Sequence, residues 1–67
     1  MVLLELSEDE AQDLKTALSI RLAGMRMELF HTDDREYRRS LKAAIERLEV
    51  VLQRLEQVMA GTAPTTT

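Results

Sequence analysis

The chain has 67 residues, a net charge of −3, no cysteine, no tryptophan and a single phenylalanine, tyrosine and histidine. That length allows one domain with a small aliphatic core, marginal unless something else stabilises it. Without cysteine, disulfides and thiolate metal sites are excluded, which leaves association with a partner as the common remedy and fits a reducing, cytoplasmic setting. The negative charge argues against broad nucleic-acid binding. No apolar run approaches the roughly 20 residues that span a bilayer, and no secretory signal pattern is visible, so no membrane association is expected.

Residues 1–6 form a short apolar arm, Val2-Leu3-Leu4-Glu5-Leu6, with β propensity. It is expected to add an inter-subunit strand or to fold over the end of the molecule. Ser7-Glu8-Asp9-Glu10 then reads as a capping box: Ser7 accepts from the Glu10 backbone, Glu10 reaches back to Ser7, and three acids sit where the helix dipole favours them. The first helix is predicted over about residues 8–31. A second start follows at once, with Asp33 and Glu36 as a capping pair and Thr32 as a competing N-cap. A connection that short folds two helices into an antiparallel hairpin. The second helix is predicted over about 34–60, with Gly61 just beyond it as the C′ residue and residues 62–67 as a disordered tail. The hairpin domain is thus 7–61 and the fold class all-α.

The second helix carries Leu41, Ile45, Leu48, Leu52, Leu55 and Met59 at alternating spacings of four and three, a heptad seam like that of a coiled coil. Ala44, Val51 and Val58 widen it, while Lys42, Arg47, Glu49, Arg54 and Glu56 occupy the other side. The first helix has a matching stripe, Ala11, Leu14, Leu18, Leu22, Met25 and Leu29. It also has a further apolar set, Ile20, Ala23, Met27 and Phe30, on a different side. Single surface apolar residues are ordinary. A helix that is apolar on two sides is usually covered by two neighbours. The four residues are therefore the expected oligomer interface, and two hairpins are expected to pair into a dimeric four-helix bundle. Gly24 costs about 1 kcal/mol relative to Ala inside a helix and leaves room for another helix to approach.

Charge is uneven along the rod. Residues 1–14 hold Glu5, Glu8, Asp9, Glu10 and Asp13 with no Lys or Arg, whereas residues 21–42 hold six basic against four acidic side chains. Copies lying antiparallel place acidic ends beside basic ones. The expected partner is a second copy in a C2 antiparallel homodimer, with a tetramer as the alternative, together with an unidentified protein bound to the remaining surface.

Few residues offer chemistry. His31 lies at the end of the first helix, where its protonated form interacts favourably with the helix dipole. Glu28 and His31 have the Glu-x-x-His spacing of di-metal bundles, but that site needs two such motifs and further inward carboxylates, which this pattern lacks. Arg26, Arg35, Arg38 and Arg39, with Lys42 nearby, form a candidate partner or phosphate patch. Interleaved acids offer local ion pairs instead, Asp34 with Arg38 and Glu36 with Arg39. No catalytic, metal or cofactor site is expected, and Met25, Met27 and Met59 read as core fillers.

The run Leu22–Lys42, with Arg26 and Glu28 before a Thr32-Asp33 turn and Arg38 and Leu41 after it, resembles a group of short uncharacterised bacterial helical-hairpin proteins. The resemblance implies a bacterial source and a helical hairpin, and brings no activity with it. The function expected from the sequence is a non-catalytic, homo-oligomeric protein–protein interaction module. The alternative is a small nucleic-acid-associated regulator using the turn-end arginines.

Overall fold

A computed structural model describes residues 1–61; the tail assigned to 62–67 lies outside the described residues. The chain forms two helices, α1 (Glu8–His31) and α2 (Arg35–Gly61), packed antiparallel against each other. At 1.5 Å per residue they are about 36 and 40 Å long. Among the described residues there is no strand, and in the single chain the arm over 1–6 is irregular.

The first boundary is set by local chemistry. Ser7 is extended and stands just before the helix; the Glu10 backbone N–H donates to Ser7 Oγ (3.1 Å) and the Ser7 N–H donates to Glu10 Oε1 (2.9 Å). Two of the donors that a helix start leaves without partners are thereby satisfied.

The turn corrects the sequence reading in three ways. Thr32 is not an N-cap: it is the extended C-cap of α1, its N–H donating to the Glu28 carbonyl at 3.0 Å. With Thr32 committed to closing α1, the start of α2 falls to the second aspartate. Asp34 Oδ1 accepts from the Tyr37 N–H (3.0 Å), so the cap is Asp34 rather than Asp33, and α2 begins at Arg35. The expected Asp34–Arg38 and Glu36–Arg39 ion pairs are not formed among the described residues. Arg38 reaches across the turn instead. Its Nη1 donates to the carbonyls of Leu29 and Thr32. Those carbonyls lie at the negative end of the α1 dipole, so a cation is better placed there than beside a solvated carboxylate. At the far end, Gly61 is the last residue of α2 and lies outside the left-handed region, so it is not the C′ residue.

The predicted seams meet. Leu22, Met25, Leu41 and Ile45 are buried together, with Leu29, Ala44, Leu48 and Leu52 packed around them. This core sits toward the turn. Toward the open end only Ala11 is buried, while Leu14, Leu18, Leu55 and Met59 are half-covered. Two helices make a single line of contact and cannot enclose a side chain on all sides, which is why the buried set is small. Along one edge of the seam Arg26 pairs with Glu49 (2.6 Å) and Lys15 with Glu56 (3.8 Å). These pairs fix the register of the antiparallel helices more than they stabilise it, since exposed pairs contribute about 0–1 kcal/mol.

Candidate interaction surfaces

The outer face of α1 is the largest departure from an ordinary solvent-facing helix. Ile20, Met27 and Phe30 are 68, 61 and 82% exposed, and Ala23 between them is exposed as well. Leu22 of the core and Met27 of this face are five residues apart, about 140° round the helix at about 100° per residue. The two apolar stripes of α1 therefore point in nearly opposite directions, one into α2 and one away from it.

Charge is placed accordingly. From Thr16 to His31 the helix carries only Arg21, Arg26 and Glu28 as permanently charged residues. All three lean toward α2. Arg26 pairs with Glu49, Glu28 accepts a hydrogen bond from the Tyr37 hydroxyl at 2.8 Å, and the charge of Arg21 acts on the same Tyr37. The outer face over these sixteen positions is consequently left without a permanent charge, where a solvated helix would carry several.

A second surface lies at the turn. Asp33, Arg35, Arg38, Arg39 and Lys42 line an open hollow of about 330 Å³. Arg38 is held by the α1 carbonyls. Arg35, Arg39 and Lys42 make no ion pair or hydrogen bond among the described residues. Of the four arginines assigned to a phosphate patch, Arg35, Arg38 and Arg39 are brought together. Arg26 is not: it is engaged by Glu49, and Lys42 takes its place in the lining.

A third surface lies at the open end. The arm forms one wall of a groove of about 1030 Å³, whose other wall includes Ala11, Leu14, Val51, Leu55 and Val58. Val2, Leu3 and Leu4 remain highly exposed. The arm thus lies beside the hairpin end without closing it.

Comparison with family models, curated proteins and solved structures yields no match.

Glu28 and His31, the Glu-x-x-His pair of α1, each have a neighbour of their own. The Glu28 carboxylate is bound by Tyr37, and this hydrogen bond, with smaller effects of desolvation and of the Glu28 charge, raises the tyrosine pKa above its ordinary 10.0 against the opposing influence of Arg21. His31 meets the Phe30 ring edge to face, with centroids 5.3 Å apart. Glu28 and His31 are therefore turned to different neighbours, and the described residues contain no cluster of three or more potential metal ligands. The Glu28–Tyr37 pair is a contact that sequence reading missed. Nine residues and a turn separate the two, and no helical spacing rule reaches across a turn.

No helix is long and apolar enough to cross a membrane among the described residues.

Proposed function

We propose that this chain is a non-catalytic protein–protein interaction module of the cytoplasm that works as a homo-oligomer, two hairpins pairing as an antiparallel C2 dimer of four helices with the two α1 helices in the middle. One observation carries the reading: the uncharged outer face of α1, with Ile20, Met27 and Phe30 standing in water in the single chain. Fully burying such side chains contributes about 1.5–3 kcal/mol each. Scaled by their exposure, each copy holds roughly 3–6 kcal/mol of unused burial. Two copies then supply an amount of the same order as the cost of association, about 4–15 kcal/mol. The resulting dimer dissociates on dilution, as a module that exchanges partners requires. Engagement of Glu28 by Tyr37 and of His31 by Phe30 supports the non-catalytic part of the reading. Light scattering across a dilution series from millimolar downward tests it: the mass at the concentrated end is that of a dimer and falls toward one chain on dilution. A stable, well-folded monomer throughout contradicts the proposal.

A second reading is favoured by the hollow at the turn. Arg35, Arg39 and Lys42 make no ion pair among the described residues and line a common hollow with Arg38 and a single carboxylate, Asp33, an arrangement suited to a phosphate of a nucleic acid. Such binding weakens steeply with salt and is lost when Arg35 and Arg39 are replaced together. Absence of DNA or RNA binding at low salt removes this reading.

A further inference from the structure

The outer stripe of α1 has a symmetry that one copy of the chain does not use. Ile20, Ala23, Met27 and Phe30 follow one another at spacings of three, four and three. Ile20 and Phe30 are equidistant from residue 25, and so are Ala23 and Met27. A stripe with this arrangement is complementary to itself when turned end over end, because each position meets another member of the set and none meets a polar residue.

We propose that this stripe pairs with the same stripe of a second copy, antiparallel, about a two-fold axis at the level of residue 25, so that Ile20 packs on Phe30 and Ala23 on Met27 across the axis. The proposal rests on the homodimer reading above, which gives the face and the antiparallel direction, and adds the register and the position of the axis.

Three further observations fit this pairing. Gly24 lies beside the stripe near its centre, in the interior of a helix, and a Cβ built there meets nothing within 4 Å. In the single chain that glycine only weakens the helix. In the pair it lets the facing backbone come close at the axis, where Ala23 is also small. Gly24 on one flank and Ser19 on the other are uncharged, and Arg26, on the same flank as Ser19, is neutralised by Glu49 of its own chain, so no like charges are opposed across the seam. Direction follows from the ends: the axis carries Asp13 and Asp9 about 9 and 15 Å past the end of the partner's α1, at the end that bears Arg35, Arg39 and Lys42, which make no ion pair among the described residues. A parallel pair would place acidic end on acidic end instead.

The chain has no cysteine, so an introduced thiol is unique. Gln12→Cys, outside the stripe and exposed, is labelled with a nitroxide and the distance between labels in the dimer is read by pulsed electron paramagnetic resonance. The proposed axis places the two labels about 39 Å apart along the helix direction, at 1.5 Å per residue. Parallel pairing brings them to about the separation of packed helices, 8–10 Å. A slip of one turn changes the antiparallel distance by about 5 Å. As a second measurement, Ile20→Cys and Phe30→Cys chains are oxidised separately and mixed. A covalent dimer forms in the mixture alone, because identical positions lie about 15 Å apart and a disulfide needs Cα atoms within about 7 Å. Cross-linking of Ile20→Cys by itself, or a label distance away from the expected one in a chain that is still dimeric, overturns the pairing and leaves the homodimer standing. A monomeric unmodified chain overturns both.

Discussion

Replacing Phe30 by alanine separates what the hairpin needs to fold from what it needs to associate. In the single chain the ring is 82% exposed and makes a T-shaped contact with the His31 ring, so removing it leaves little undone. Exposed substitutions of this kind change folding stability by about 0.5 kcal/mol or less. In a dimer formed through the outer face, the same ring is covered. Full burial of a phenylalanine contributes up to about 3 kcal/mol, and the 82% that is free to be buried gives roughly 2 kcal/mol per copy. The two copies in a dimer together lose about 4 kcal/mol, a weakening of the dissociation constant by about 1000-fold. Sedimentation equilibrium of the two proteins over the same concentration range reads the association, and thermal unfolding at high dilution reads the monomer. The expected result is a large loss of association with an unchanged dilute-state melting curve. An unchanged dissociation constant refutes the assignment of this face. A dilute-state destabilisation of 2 kcal/mol or more would mean that Phe30 is packed within its own chain, contrary to its exposure.

Three further outcomes test the fold and its turn. Leu22→Ala removes the most buried side chain, 2% exposed, and is expected to cost about 2–5 kcal/mol. Circular dichroism should show a large loss of helix in a chain this small. Ser7→Ala deletes the acceptor of the capping box and costs about 1 kcal/mol, read as a lower denaturant midpoint. Tyr37 titrates above 10.0, because its hydroxyl donates to Glu28 and ionising it sets an anion beside a carboxylate. Ultraviolet absorbance should show the midpoint falling back toward 10.0 in Glu28→Ala. Since the folded pKa is raised, the stabilisation from this pair is present below the unfolded value near 10 and is lost as pH rises through the folded one.

Much of the fold was legible in the sequence because its determinants are local. Ser7 and Glu10 lie within one helical turn, so their reciprocal hydrogen bonds can be read from spacing alone. The seams are equally local statements: residues at intervals of three and four share a face whatever the rest of the chain does, and Leu22, Met25, Leu41 and Ile45 are buried where that periodicity places them. The sequence also marked the surplus stripe of Ile20, Ala23, Met27 and Phe30, since two apolar faces on one helix cannot both meet a single partner helix.

What only the tertiary structure decided is concentrated at the turn, where two helix ends with competing caps share three residues. Thr32, Asp33 and Asp34 are each competent caps, and neighbouring contacts chose among them: Thr32 closes α1, Asp34 opens α2, and Asp33 is left to line the basic hollow. The same contacts reassigned Arg38 from a carboxylate on its own helix to the carbonyls of the other, and drew Arg26 away from the basic cluster to Glu49. Spacing within a helix fixes which side chains share a face. Which of several equally suitable partners a charged side chain takes depends on how the two helices meet, because that is settled by distances across the turn and the seam.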